Sequence, residues 1–502
     1  MITSAMEYHQ RTSYDRQDMS AHFLDWGNQP YPFKVYPGPK SIPLPQKVAL
    51  PQKPLSTVLS KKNGGKIPAE IGLEDLSRIL LAAYSPTATA RQGGGNFYFR
   101  TVASAGALYP TEIYVAVRTV RGLEDGLYHF SIQHHGLIPL RTQDVSPQVA
   151  GAMVPPLGKL PVVSFFLTAI IFRSAWKYRD RSYRYHLLDT GHVLEHLTLA
   201  LKAFSFPYRL SHDFRDEEMN HLIGLDDTKE FTLTAVHLCS ADPVPSDTEK
   251  DLSPLPHEIL EASRVSQKEL DYPSIREIHR AGMSSRPLEA PPSPMVEELG
   301  LLPSLWESLG PSRPWPEVMP FPDAGFQRRS RRNYVKKPMS HAAFLAFIEA
   351  IAPENGSLLP GRFHEQQSIA TGLILGEVET KPPGFYLLKP GQKQIGRIKA
   401  GPTTKDMAHI CLDQAWLAQA SLHVLFLVNL EILEGCWGSR GYRYAMLTAG
   451  RLGERLYVTA TAMGIGCCGI GAFYDGEAME SLKLNPHSRL LYLVALGPVK
   501  RT

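Results

Sequence analysis

The chain repeats one pattern of hydrophobic and polar positions. Two apolar runs, VVSFFLTAIIF from residue 162 and ASLHVLFLVNLEI from residue 420, are typical of buried strands. Each run is followed by a segment whose apolar residues have helical spacing, RSYRYHLLDTGHVLEHL from residue 181 and RGYRYAMLTAGRLGERL from residue 440. The pattern therefore predicts, twice, a buried strand that leads into a long helix.

The two copies are related by a constant offset of 259 residues. Residues 181–204 and 440–463 share nine identities in 24 positions, against about one or two expected from average composition. A solenoid repeat recurs every few tens of residues, so this offset indicates a duplicated domain instead. Because both copies mix helical and strand patterns with only partial βαβ order, we predict an α+β fold.

Proline-rich stretches divide the chain. The first 65 residues contain QPYPFKVYPGPKSIPLPQ, and the region between the copies contains APPSPM and PSRPWPEVMPFP. Such composition favours extended segments with short helices. The predicted layout is an arm at 1–65, domain one at 66–245, a connector at 246–325 and domain two at 326–502.

Composition excludes several classes of protein. The net charge of +4 over 502 residues argues against a nucleic-acid binder. No apolar run reaches 18 residues, which argues against a membrane span. The first residues have no charged segment followed by an apolar one, so we expect no signal peptide. Five cysteines without CxxC spacing favour a reducing, cytoplasmic location.

A metal site is one hypothesis for the first copy. His192, Glu195 and His196 form the H-x-x-E-H pattern of inverted zincins. The second copy keeps the glutamate but has Arg451 and Arg455 in place of the histidines. A glutamate shared between exchanged histidine and arginine residues favours a structural role in the helix. We therefore predict no metal site.

The glycine-rich run GIGCCGIG, residues 464–471, follows the second predicted helix. Its letters match the G-x-G-x-x-G pattern. A dinucleotide-binding fingerprint, however, follows a strand, whereas this run follows a predicted helix. The run instead predicts a loop whose backbone approaches a flat ligand or another segment, or a helix C-cap followed by a tight turn. The adjacent Cys467 and Cys468 could be redox-active or simply small packing residues.

Three other stretches could carry chemistry. RRSRRNY, residues 328–334, groups guanidinium groups around a hydroxyl and could bind phosphate, or could be a solvated basic run. SAGALYP, residues 104–110, could bring backbone close to a ligand or form a plain turn. Lys177 and Tyr178 could act as general base and acid if burial lowers the lysine pKa, or could be a surface pair.

Together, RRSRRNY, SAGALYP, RSYRY/RGYRY and GIGCCGIG resemble the nitroreductase superfamily. Within it, the chain is most similar to the SagB-type dehydrogenases, flavin enzymes that oxidise azolines to thiazoles and oxazoles during peptide maturation. The resemblance touches most of the chain except the connector. It implies two tandem nitroreductase-like domains that form an intrachain pseudo-dimer with FMN at the interface.

The resemblance also implies site residues. Lys177 and Tyr178 correspond to the catalytic Lys-Tyr pair of azoline oxidases. The implied cofactor-binding residues are Arg328, Arg329, Ser330, Arg332, Ser104, Ala105, Gly106, Gly466, Cys467, Cys468, Lys500 and Arg501.

Each half departs from the family pattern in a different place. Domain one has KKNGGKIPAE where an RRSxR segment is expected, and AFSFPYRLSHDF where the glycine loop is expected. Domain two lacks SAGALYP and has Cys436-Trp437 in the region of the Lys-Tyr pair. This complementary loss predicts one composite flavin site, with the second site dismantled.

The resulting prediction is an FMN-dependent oxidoreductase, an azoline-type dehydrogenase acting on a modified peptide or a small molecule. One alternative is a nitroreductase-like NAD(P)H oxidoreductase for quinones or nitro compounds. Another is a non-catalytic scaffold of a peptide-modifying complex. The sequence does not decide whether the pseudo-dimer associates further.

Overall fold

This computed structural model describes residues 1–19, 23–92, 95–244, 252–283, 293–311, 313–317, 319–352, 365–389, 391–401 and 403–500. The strands are β1 (Ile42–Pro43), β2 (Lys53–Pro54), β3 (Pro86–Gln92), β4 (Gly95–Arg100), β5 (Thr111–Val117), β6 (Gly126–Ser131), β7 (Gly136–Arg141), β8 (Lys159–Ile170), β9 (Arg209–Ser211), β10 (Glu230–Pro243), β11 (Trp306–Ser308), β12 (Pro320–Phe321), β13 (Ala370–Leu375), β14 (Gly384–Lys389), β15 (Gln394–Ala400), β16 (Leu422–Asn429), β17 (Gly466–Ile470) and β18 (Ser488–Gly497).

The helices are α1 (Ala5–Arg11), α2 (Leu55–Ser60), α3 (Leu73–Ala83), α4 (Ser146–Ala152), α5 (Ile171–Tyr178), α6 (Ser182–Phe204), α7 (Asp216–Ile223), α8 (His257–Glu261), α9 (Pro273–Ala281), α10 (Asp323–Gln327), α11 (His341–Ala350), α12 (Glu365–Ser368), α13 (Thr404–Ile410), α14 (Leu430–Trp437), α15 (Arg440–Ala462) and α16 (Asp475–Leu482). Short 3-10 turns lie at Trp26–Asn28, Ala105–Ala107, Arg179–Arg181, Met295–Leu299 and Ala415–Gln419.

The chain folds as two compact units. The first-repeat unit comprises Phe23–Pro51 and Lys62–Pro287, and the second-repeat unit comprises Met1–His22, Gln52–Lys61 and Leu288–Thr502. Residues of the proline-rich arm and of the connector therefore contribute to both units.

Each unit contains one seven-stranded antiparallel sheet. The strand order is β1-β7-β6-β5-β8-β10-β9 in the first-repeat unit and β11-β15-β14-β13-β16-β18-β17 in the second. If the seven strands of each sheet are numbered from one to seven along the chain, both sheets have the same order, 1-4-3-2-5-7-6. The central strands β8 and β16 are buried along nearly their whole length, as the two apolar runs predict. The α+β prediction is confirmed.

The offset of 259 residues persists in the structure. Helices α5 and α14 are both eight residues long and begin at Ile171 and Leu430. Helices α6 and α15 are both 23 residues long and are buried almost throughout. Helices α7 and α16 keep the same offset. The duplication therefore reaches well beyond the 24 positions at which sequence identity reveals it.

The H-x-x-E-H residues lie inside α6. His192, Glu195 and His196 are all buried, within a helix whose sides are covered along almost its whole length. Within the described ranges, no group of three or more His, Cys, Asp or Glu side chains is arranged to hold a metal ion. In the same ranges, no helix is long and apolar enough to cross a membrane.

The arm supplies a helix to the second-repeat unit, and its residues Ala5, Tyr8 and His9 are buried. The side chain of Ser4 caps α1 by accepting a hydrogen bond from the Glu7 amide. His9 of α1 places Nδ1 3.0 Å from the Tyr442 hydroxyl and Nε2 3.3 Å from Asp475 Oδ1. The histidine thus links α1 to both α15 and α16.

The connector supplies an equivalent helix to the first-repeat unit. His279 of α9 places Nδ1 3.3 Å from the Tyr183 hydroxyl and Nε2 3.8 Å from Asp216. Tyr183 and Asp216 precede Tyr442 and Asp475 by 259 residues. A helix with the same buried Tyr–His–Asp contact is therefore present in each unit, so the repeated module includes part of the arm and part of the connector.

Candidate functional site

Lys177 and Tyr178 are the last two residues of α5 in the first-repeat unit. Both side chains are half-buried. Lys177 Nζ lies 5.4 Å from the centre of the Tyr178 ring, and that ring lies 4.4 Å from the Tyr185 ring. An amine and a phenol are thus held together at the C-terminal end of a helix.

The SAGALYP stretch forms a tight loop in the same unit. Gly106, Ala107 and Tyr109 have φ values of 65°, 55° and 49°, which non-glycine residues adopt only under constraint. The Tyr109 amide donates a hydrogen bond to Ser104 Oγ over 2.8 Å. This conformation brings the two ends of the loop together.

Asp189 of α6 holds the start of this loop. Ser104 Oγ donates to the Asp189 carboxyl over 2.6 Å, and the Ala105 amide donates to it over 3.2 Å. Asp189 is not among the residues predicted from the sequence. The sequence feature that could have revealed Asp189 is a difference between the repeats, because Thr448 occupies the equivalent position.

Burial raises the pKa of Asp189 to about 7, although the hydrogen bonds from Ser104 and Ala105 oppose that rise. The folded protein therefore binds one more proton than the unfolded chain between about pH 4 and pH 7. We expect the free energy of unfolding of the wild type to fall by about 2–3 kcal/mol more than that of Asp189→Asn between pH 5 and pH 8. Denaturant titrations of both proteins at each pH measure this difference, and parallel pH profiles would contradict it.

The loop and the Lys-Tyr pair, predicted separately, lie against each other. A Cβ atom at position 106 would lie 2.8 Å from the Tyr178 hydroxyl and 3.2 Å from Lys177 Nζ. Gly106 is exposed, and its positive φ favours glycine independently of this contact. Only glycine leaves room there for both polar groups.

Arg173 of α5 anchors the far end of the loop. Its Nη1 donates to the Tyr109 carbonyl over 2.9 Å and to Glu112 Oε1 over 2.6 Å, while His129 lies 2.9 Å from the other Glu112 oxygen. Burial alone would raise the pKa of Glu112, but Arg173 and His129 lower it to about 2. Arg173 was not predicted from the sequence. A charged residue within a mostly apolar helix is the feature that could have revealed it.

In the second-repeat unit, the RRSRR segment runs beside strand β17. Ser330 forms a parallel bridge with Cys467, and the Arg331 amide donates to the Cys467 carbonyl over 2.8 Å. The Lys500 amide donates to the Asn333 carbonyl over 3.2 Å. The structure thus brings together three predicted stretches of this unit. The predicted residue Arg501 lies outside the described residues.

Tyr457 of α15 connects these stretches. Its hydroxyl lies 2.9 Å from Ser330 Oγ and accepts a hydrogen bond from the Gly469 amide over 2.7 Å. The buried Arg328 guanidinium lies 5.2 Å from the centre of its ring. Sequence reasoning missed Tyr457 as well, although the first repeat has Thr198 at the equivalent position.

The remaining arginines of the segment differ in their surroundings. Arg332 is exposed, with its guanidinium 5.6 Å from the centre of the Trp416 ring. Arg329 Nη1 donates to the backbone carbonyls of Phe326 and Arg328, over 3.2 Å and 2.6 Å. Arg329 therefore braces the segment, whereas Arg332 and Ser330 are exposed.

The glycine run forms a strand where a loop was predicted. A turn at Gly464, with φ of 68°, follows α15, but β17 begins at Gly466 and pairs with β18. A Cβ atom at Gly469 would lie 1.8 Å from the Tyr492 hydroxyl, and one at Gly466 would lie 2.1 Å from Val499 Cγ1. The loop prediction was therefore wrong for residues 466–470, because these glycines make room for neighbouring side chains.

Cys467 and Cys468 are buried in this strand. Burial raises the pKa of both thiols, and for Cys468 the nearby Arg332 only partly opposes this effect. Because the thiolate is the reactive form of cysteine, neither residue is set up as a nucleophile at neutral pH. Their environment favours the packing interpretation.

The nitroreductase family model matches residues 68–238 and 326–498, more than half of the chain. A nitroreductase-type protein of Methanocaldococcus jannaschii is 32% identical over 180 residues, which are 35% of this chain and 90% of that protein. The trifolitoxin-processing protein TfxB of Rhizobium leguminosarum bv. trifolii is 28% identical over 176 residues, 34% of this chain and 47% of its own length.

A solved structure also resembles the whole chain. The crystal structure of a nitroreductase-type protein from Anabaena variabilis is 25% identical, with a TM-score of 0.76. The similarity covers 99% of this chain and 100% of that protein. Together with the repeated sheet topology and the two matched segments, these similarities establish that this chain belongs to the nitroreductase family and carries two of its domains in tandem.

Proposed function

We propose that this chain is an FMN-dependent oxidoreductase that acts as an azoline-type dehydrogenase on a modified peptide or a small molecule. The observation that carries the proposal is the contact between Gly106 and the Lys177–Tyr178 pair. A candidate proton acceptor thereby lies beside a loop of small residues that would contact the cofactor. The similarity to a toxin-processing protein supports a peptide-derived substrate.

The residues of the second-repeat unit fit the phosphate of FMN. Arginine and hydroxyl donors are the groups that bind phosphate most specifically. Arg328, Ser330 and Arg332 lie on one short segment beside β17, and Lys500 is tied to the same segment through Asn333. In the proposal these four residues would hold the phosphate and the ring edge.

The residues of the first-repeat unit fit the reacting part of the site. FMN, when bound, accepts a hydride from the substrate. Oxidation of an azoline ring also releases a proton, which Lys177 would accept while Tyr178 orients the substrate or relays the proton. Ser104, Ala105 and Gly106 have small side chains or none, and in the proposal they would let a flat ring approach the Lys177–Tyr178 pair.

The absorption spectrum and flavin content of the purified protein test the cofactor. We expect flavin bands and one FMN per chain, as the complementary loss of motifs in the sequence predicts. Two FMN per chain would contradict the expectation of a single composite site. Failure to bind added FMN by a folded protein would contradict the proposed enzyme and favour a scaffold role.

The second candidate function is an NAD(P)H oxidoreductase for quinones or nitro compounds. The 32% identity with the M. jannaschii protein favours it. Anaerobic mixing with NADPH separates the two functions. Rapid bleaching of the flavin without another substrate would favour the second candidate, whereas bleaching only by an azoline substrate supports the dehydrogenase.

A further inference from the structure

Arg179 follows the Lys-Tyr pair directly and has a strained backbone. Its φ and ψ are 49° and −139°, a combination that glycine adopts freely and other residues adopt at a cost of about 1–3 kcal/mol. The second repeat has Gly438 at the equivalent position, with φ of 58° and ψ of −163°. Both repeats thus require the same turn, but only the second has the residue that suits it.

Space does not explain the difference. A Cβ atom at Gly438 would have no heavy atom within 4 Å, so the turn tolerates a side chain sterically and the penalty is conformational. Glycine at position 179 would remove that penalty. The first-repeat unit has arginine there in spite of this penalty, which indicates that the arginine side chain has a function.

The surroundings of Arg179 indicate what that use is. The side chain is exposed, and its guanidinium forms no hydrogen bond or ion pair with any residue that the structure describes. Tyr178 and Tyr272 pack against an apolar cluster that includes Trp176. An exposed guanidinium that directly follows the candidate catalytic pair and acts electrostatically on Tyr272 is suited to binding an anionic oxygen group.

We propose that Arg179 binds an anionic oxygen group of the molecule that reacts at the Lys177–Tyr178 site. This inference rests on the proposed function of that site. The group is either a carboxylate of a peptide-type substrate or a phosphate of a reduced nicotinamide cofactor. Arg179 is thus a specificity-determining residue, and the strained turn sets the direction in which its side chain leaves the backbone.

Arg179→Gly installs the residue of the second repeat and tests the proposal. We expect the variant to unfold at a temperature about 2–4 °C higher than the wild type, because the strain is relieved. We also expect the Kd of one anionic probe to rise about tenfold, as the loss of one charge-assisted contact predicts. The probes are NADPH and a thiazoline peptide with a neighbouring glutamate, titrated by calorimetry without oxygen into dithionite-reduced protein, so that neither probe can be oxidised.

Gly438→Arg is the matched control. It introduces the same side chain and the same strain in the second-repeat unit, so it should lower the melting temperature and leave both Kd values unchanged. Arg179→Lys keeps a positive charge and should lose less affinity than Arg179→Gly. A glutamine version of the peptide should bind the wild type and Arg179→Gly equally if the carboxylate is the group that Arg179 recognises.

The outcomes separate this inference from the proposed function. A larger Kd for the peptide alone identifies the carboxylate, and a larger Kd for NADPH alone identifies the phosphate. Unchanged Kd values for both probes, or a wild type that binds neither probe, would overturn the inference. Protein that binds no flavin would overturn the proposed function, while the titrations would still measure Arg179 because they require no turnover.

Discussion

Lys177→Ala should lower turnover of an azoline substrate at least about 100-fold while leaving the FMN content per chain unchanged. Of the two side chains, only the Lys177 amine can accept the proton when it is neutral. Alanine removes that amine. The side chain lies beside the Gly106 loop, and hydrogen bonds to Asp189 and from Arg173 hold the two ends of that loop. The loop should therefore keep its conformation. Steady-state turnover and the flavin absorbance of the same samples measure both quantities.

Two further variants make this result specific. Lys177→Arg keeps a long basic side chain, but its guanidinium does not lose its proton in proteins, so this variant should be nearly as inactive as the alanine variant. Cys436→Ala changes the equivalent position of the second repeat and should retain full turnover. Undiminished turnover of Lys177→Ala would remove Lys177 from the mechanism. Loss of FMN from that variant would mean a structural role instead.

Lys34→Met should lower the free energy of unfolding by about 3–5 kcal/mol, the typical effect of removing one partner of a buried ion pair. Lys34 comes from the proline-rich arm and is paired with Glu230 inside the first-repeat unit, with both side chains fully buried. Lys34 Nζ also donates to the Tyr114 hydroxyl over 2.6 Å and to Ser263 Oγ over 3.1 Å. Without Lys34, the Glu230 carboxylate would remain in the core without its cation.

The two groups keep each other charged. Burial opposes the charge on both, but Glu230 raises the pKa of Lys34, and Lys34 lowers the pKa of Glu230. Denaturant unfolding of Lys34→Met, Glu230→Gln and the double variant measures the coupling. We expect the double variant to be more stable than Lys34→Met alone, since no unpaired charge is left. A loss below about 1 kcal/mol for Lys34→Met would contradict this account.

The sequence was most informative where one segment carries its own signal. The 259-residue offset, the buried strands and the long helices followed from identity and periodicity, because strand and helix periods are local properties. The glycine run was misjudged at residues 466–470. Whether glycines form a loop or a tightly packed strand depends on distant side chains such as Tyr492 and Val499, which no local pattern reveals.

Within the candidate site, the sequence alone determined the residue types: a Lys-Tyr pair, a small-residue loop and an arginine-serine segment. Only the tertiary structure decided which of them meet. It placed Gly106 against Lys177 and Tyr178, and it showed that Asp189 and Tyr457 hold the two clusters. The physical reason is that a hydrogen bond or a close contact is specified by two partners. Here the partners lie between 12 and 127 residues apart, and only packing brings them together.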